Sequence, residues 1–187
     1  MRELALHILD LVQNSIEAGS TSVLLEIIEN DVADTMTIRV TDNGRGMDEE
    51  TQKRVLDPFV TTRTTRRVGL GLPLIDMSTQ RCEGYLKISS QPGRGTVVEA
   101  VYRHSHLDRP PLGNIIETLK TLVIANPELD FAYSHEVNGT HFSLATKELT
   151  AILGDMPLTH PDVILWLQEY LSANLANLYG GVKHENH

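Results

Sequence analysis

A chain of 187 residues with 41% hydrophobic and 22% charged residues has the size and balance of one folded domain with a small appendage. Its net charge of −9 argues against sequence-independent nucleic-acid binding, so nucleic acid is not an expected partner. A single cysteine, Cys82, excludes an internal disulfide, no apolar run approaches the ~20 residues that span a bilayer, and Met1-Arg2-Glu3-Leu4, with His7 and Asp10 close behind, is no signal peptide, so a cytoplasmic protein without a membrane partner is expected.

Residues 2–18 read as a helix. Leu4, Ile8, Leu11, Val12 and Ile16 make one apolar face, and Gly19 is a natural stop. A second stripe, His7, Asp10, Asn14 and Glu17, falls on one face too and contains no Lys or Arg. Such a stripe is either a solvated polar face or a hard-cation site. In the second case an Asn carbonyl oxygen suits Mg²⁺ that already carries phosphate and water oxygens, and a carboxylate one turn away can act as a base. Residues 23–28 and 36–40 alternate as strands of an antiparallel hairpin, joined by the polar turn 30–34.

The second strand runs into Asp42-Asn43-Gly44-Arg45-Gly46-Met47. An acid at a strand end can face a pocket, and glycines let backbone approach a flat ligand. A carboxylate there suits adenine, whose exocyclic amine donates, and repels guanine, which presents a carbonyl. Met47 is soft enough to lie against an aromatic ring. The competing reading is a tight turn, for which Asp-Asn-Gly is good chemistry.

Residues 48–56 read as a short helix capped by Asp48. Asp57 to Arg67 reads as a loop whose Arg63, Arg66 and Arg67 suit either solvent or a polyphosphate. Gly69 and Gly71 precede a helix that starts near 70–72, because Pro73 is tolerated only in a first turn, and runs to Arg81. Glycines at a helix N-terminus can hold phosphate or simply allow close packing. Strands 84–90 and 96–102 follow, joined by the glycine loop 91–95. Arg109-Pro110-Pro111 reads as a linker. Beyond it come a helix over 112–125, a hairpin of 131–137 and 140–144 about Asn138-Gly139, and helices over 147–153 and 161–178. Whether these last strands pair only with each other or extend the first sheet is open.

These motifs, taken in order, resemble the GHKL ATPase superfamily, which holds DNA gyrase B, MutL, the heat-shock chaperone of this class and the sensor histidine kinases. Asp10 to Gly19 looks most like the N box of MutL, and Asp42 to Met47 like the G1 box. Asp57 to Arg63 looks like the F box of histidine kinases, Gly69-Leu70-Gly71-Leu72 like their G2 box, and Gly93 to Thr96 like their glycine-threonine hairpin. The resemblance covers about residues 1–103. For these residues it implies an α+β fold, a two-layer sandwich of a mostly antiparallel sheet with helices on one face; the pattern beyond them reads as a small α+β segment over 104–187.

The resemblance also implies ATP and Mg²⁺ as ligands. Asn14 would hold the metal against the phosphates, and Asp42 would accept from the adenine amine. Gly44, Gly46 and Met47 would shape the adenine pocket, and Thr96 would complete its hydrogen bonds. Gly69, Leu70 and Gly71 would present N–H groups to the phosphates. Ala18, Asn43, Phe59, Thr61, Thr62, Arg63, Val68 and Leu72 join the nucleotide-facing set. Asp10 stands where hydrolytic members carry a glutamate base and is one methylene shorter, while Glu17 is expected to pair with an arginine for structure. Arg67 and Val68 replace the usual Gly and Thr of histidine kinases, and no segment before residue 2 is expected to supply a phosphoacceptor helix. His135-Glu136-Val137 echoes a phosphoacceptor box but sits in a strand. The expected activity is Mg²⁺-dependent ATP binding with slow hydrolysis. Its rivals are a kinase acting on a separate protein, as anti-sigma factors and histidine kinases do, and an ATP sensor without catalysis. A protein partner would meet the C-terminal segment, and the sequence sets no oligomeric state.

Overall fold

The computed structural model describes residues 3–56 and 71–180. In chain order the elements are α1 (Leu4–Glu17), β1 (Ser22–Asn30), β2 (Thr35–Asp42), α2 (Glu49–Arg54), α3 (Gly71–Arg81), β3 (Tyr85–Gln91), β4 (Gly95–Arg103), α4 (Ile115–Ala125), β5 (Asp130–Val137), β6 (Thr140–Ala145), α5 (Thr146–Leu153) and α6 (Pro161–Leu178). The strands form one six-stranded sheet in the order β3-β4-β2-β1-β5-β6. Every neighbouring pair is antiparallel except β1 with β5, which is parallel, Val23 lying opposite Phe131 and Ile27 opposite His135. The last two strands therefore pair with each other and also extend the first sheet.

Strand parity sorts the side chains. Val23, Leu25 and Ile27 of β1, Met36, Ile38 and Val40 of β2, and Val98, Ala100 and Tyr102 of β4 are buried, as are Leu4, Ile8, Leu11 and Val12 of α1. This is the two-layer α+β arrangement expected, with α1, α3 and α6 against the apolar face and α4 packed against α1 and α6. The opposite face carries a row of register neighbours, Glu26, Arg39 and Glu99. Arg39 donates to Glu99 at 2.7 Å and to Glu26 at 3.3 Å. These pairs are partly exposed and each contributes at most about 1 kcal/mol.

The stretch read as a linker is packed. Leu4 and Ala5, whose N–H groups open α1, donate to the carbonyls of Pro111 and Leu112. Arg109 donates to the His104 carbonyl at 2.7 Å. Helix α4 starts at Ile115, three residues later than its apolar spacing suggests, because Asn114 caps it by accepting from Glu117 N at 3.1 Å.

A polar cluster sits at the end of β1 remote from Asp42. Glu29 Oε1 meets His135 Nε2 at 2.9 Å and accepts from the Tyr179 hydroxyl, and its Oε2 meets His104 Nε2 at 3.1 Å. His135 Nδ1 lies 2.8 Å from the Tyr133 hydroxyl, so both nitrogens of this fully buried ring are engaged. That arrangement denies His135 the access a phosphoacceptor needs. Burial pushes the Glu29 carboxyl up, but hydrogen bonds from His135, Tyr179 and His104 outweigh it and lower it from 4.5 to about 2. A carboxyl lowered in this way stabilises the fold above its unfolded value and ceases to do so as pH falls through about 2. Urea denaturation of Glu29→Gln is therefore expected to show a marked loss of stability at neutral pH, and the gap from the parent should narrow as the pH is taken below the ordinary carboxylate value.

Candidate functional site

The residues singled out in the sequence converge on one end of the sheet. Asp42 is the last residue of β2 and lies in register with Thr96 of β4, which lies in register with Ser90 of β3. The three thus form a row across neighbouring strands. Asp42 is half-buried, and its carboxylate is held from three directions. Oδ1 accepts from Gly44 N at 2.8 Å and from Thr96 N at 3.2 Å, and Oδ2 accepts from Ser15 Oγ at 2.7 Å. A carboxylate offers about four acceptor positions, so one remains for a donor from outside. Ser15 was not foreseen as a site residue. Its position beside Asn14 is the signal that could have found it, since a mid-helix serine often turns its hydroxyl to a partner, and here it reaches the Leu11 carbonyl at 3.3 Å as well.

The glycine loop is wedged between α1 and the β3–β4 hairpin. A Cβ at Gly46 would lie 1.9 Å from the Gln91 carbonyl oxygen, and its φ of +67° suits glycine. A Cβ at Gly44 would lie 2.7 Å from Ser20 Oγ and 2.9 Å from Ala18 Cβ. The atoms that crowd these glycines belong to the protein. Asn43 turns its amide to the start of β1, accepting from Thr21 N at 2.9 Å and Ser22 N at 3.0 Å. Met47 N donates to Ser90 Oγ at 2.8 Å, and Ser90 Oγ lies 2.8 Å from Thr96 Oγ1. Gln52 of α2 completes this wall, donating to the Ser90 carbonyl at 2.9 Å and accepting from Ser90 N at 3.2 Å. A shallow cavity of about 450 Å³ opens here, with Asp42, Gln52, Ser90, Gln91, Arg94 and Thr96 among its walls.

Asp10, Asn14 and Gly71 lie outside that cavity's described walls and form a second group. Asp10 is exposed and Asn14 half-exposed on α1, one turn apart. Gly71, buried at the start of α3, faces Asp10: a Cβ there would lie 3.8 Å from Asp10 Oδ2. The fold thus brings the first helix to the glycine that opens α3, 61 positions later in the chain (71 − 10). Among the described residues the side chains of Asp10 and Asn14 have no hydrogen-bond partner. Leu72 packs half-buried against the core. Glu17 does not form the expected ion pair among the described residues. Arg45 instead donates to its backbone carbonyl at 3.4 Å, because the carbonyls ending a helix lack partners within it. Phe59, Thr61, Thr62, Arg63, Val68, Gly69 and Leu70 lie outside the described residues.

Residues 2–105 match the family described as histidine kinase-, DNA gyrase B-, and HSP90-like ATPase. The chain belongs to this family. Sensor protein kinase FleS of Pseudomonas aeruginosa is 40% identical over 89 residues, covering 48% of this chain and 22% of that protein. Sporulation kinase C of Bacillus subtilis is 33% identical over 93 residues, covering 50% and 22%. The match spans less than a quarter of either relative. Among solved structures, the N-terminal domain of a DNA repair protein superposes with a TM-score of 0.54 at 14% identity, covering 97% of this chain and 58% of that one. At that identity the likeness is one of fold.

Proposed function

We propose that this member of the ATPase family binds ATP with Mg²⁺ and hydrolyses it slowly. The observation that carries the reading is the Asp42 carboxylate, half-buried at a strand end, fixed by three protein donors and left with one acceptor position. That position suits the exocyclic amine of adenine and repels the carbonyl of guanine. Thr96 and Ser90, in the same row, offer hydroxyls for the remaining base contacts. Gly71 and the helix it opens supply N–H groups for phosphate. Residues 1–103 act as the nucleotide-binding unit in this reading, and 104–187 offer surface to a protein partner.

The residues present fit a magnesium ion: Asn14 is half-exposed, unpartnered among the described residues and one turn from Asp10. When bound, the ion neutralises phosphate charge. Asn14 would hold it, and Asp10 would take a proton from the attacking water. Asn14→Ala is expected to weaken MgATP binding roughly tenfold or more while leaving metal-free adenosine binding nearly unchanged. Equal loss for both ligands in calorimetry would contradict the assignment.

The relatives named above are kinases, which favours a second reading in which the same pocket phosphorylates a separate protein. ATP labelled at its terminal phosphate tests both. Released phosphate supports hydrolysis and label on a partner supports transfer, whereas bound nucleotide with neither leaves a sensor.

A further inference from the structure

None of the residues of α2, Glu49–Arg54, is buried. Its ion pairs, Lys53 with Glu49 and Arg54 with Glu50, lie within the helix and are largely exposed. So short a helix does not persist in water by itself, and something outside must hold it. Among the described residues, the α2 side chain that hydrogen-bonds beyond the helix and its cap is that of Gln52.

The Gln52 amide joins three backbone groups. Its Nε2 donates to the Ser90 carbonyl at 2.9 Å and to the Met47 carbonyl at 3.3 Å, and its Oε1 accepts from Ser90 N at 3.2 Å. Ser90 lies on β3, an edge strand, and the amide meets its N–H and C=O as a peptide group of a further strand would. One orientation of the amide satisfies all three, because the two carbonyls accept and the N–H donates. Met47, the last residue of the glycine loop, is thereby gripped from both sides. Its carbonyl accepts from Gln52, and its N–H donates to Ser90 Oγ, which lies 2.8 Å from Thr96 Oγ1. A single amide thus ties α2, the glycine loop and the edge strand to the wall that Thr96 and Asp42 share.

We propose that Gln52 is a positioning residue for the base-binding cavity, acting through Met47 and Ser90. The proposal rests on the reading that this cavity takes adenine. What position 52 must supply is a donor aimed at two carbonyls, which neither an apolar side chain nor a carboxylate provides.

Two variants test this. Gln52→Leu removes the donor at every pH. Gln52→Glu keeps the shape but, when ionised, sets a carboxylate against the Ser90 and Met47 carbonyls. Those carbonyls and partial burial raise that carboxyl, so it is ionised at about pH 8 and protonated, with an O–H to donate, at about pH 5. The full chain is titrated with MgATP by calorimetry, each variant being compared with the parent at the same pH, so that titration of Asp42 and of the phosphates cancels. Gln52→Leu is expected to bind about tenfold more weakly at both pH values. Gln52→Glu should be about tenfold weaker at the higher pH and recover to within about threefold of the parent at the lower. Amide hydrogen exchange of the nucleotide-free chain needs no ligand: the Ser90 and Met47 amides should exchange more than about tenfold faster in Gln52→Leu than in the parent. A parent that binds no MgATP would overturn the adenine reading, and this proposal with it, whatever the exchange shows. With a parent that binds, a Gln52→Leu that binds as well, a Gln52→Glu deficit equal at both pH values, or unchanged exchange at Ser90 would overturn the positioning role alone.

Discussion

Asp42→Ala is expected to weaken ATP binding by about 2–4 kcal/mol, which is roughly thirty- to a thousand-fold in dissociation constant. The carboxylate makes the charge-assisted contact proposed for the adenine amine, and it is half-buried, so water replaces that contact poorly. Its removal also leaves Gly44 N, Thr96 N and Ser15 Oγ without their acceptor. Part of the effect is thus loosening of the glycine loop against β4. Calorimetric titration, with a thermal midpoint to confirm that the variant is folded, checks the expectation. A folded variant that binds ATP as the parent does would remove adenine recognition from Asp42.

Asp10→Asn is expected to slow phosphate release by ~10²–10⁴-fold while leaving ATP affinity nearly intact, the usual contribution of a positioned base. The carboxylate lies beside Gly71 and one turn before Asn14, where a water held near phosphate could be reached. Asp10→Glu restores the longer reach and should raise turnover, since a displacement of about one bond slows a proton transfer substantially. Glu17 occupies the last position of α1, where a negative charge meets the unfavourable end of the helix dipole. Loss of phosphate release in Glu17→Gln but not in Asp10→Asn would reverse the assignment.

The sequence revealed what repeats at short range. The apolar faces of α1 and α6 and the alternation of β1 to β6 follow from periodicity, and the Asn138-Gly139 turn has positive φ at both residues as that dipeptide suggests. Apolar spacing puts the start of α4 at Leu112, whereas the helix begins at Ile115 because Asn114 holds the cap. What joins distant segments was not legible. The parallel pairing of β1 with β5 depends on 99 residues of intervening chain (130 − 30 − 1), and no local pattern encodes it. Glu29 falls between the expected strand and turn, and nothing local shows that His135, Tyr179 and His104 fold around it. At the candidate site the boxes were found by their order, but Ser15 and Gln52 were not, because each acts on a residue brought near only by the sheet. Gly44 and Gly46, expected to let backbone approach a flat ligand, also leave room for protein atoms, those of Ala18, Ser20 and Gln91.

Calorimetric titration of the parent chain with MgATP and with MgGTP tests the central claim most directly. One-to-one saturable binding of MgATP, with MgGTP bound far more weakly, is the result expected of a carboxylate that accepts from adenine. No binding of MgATP, or equal binding of both nucleotides, would contradict the account.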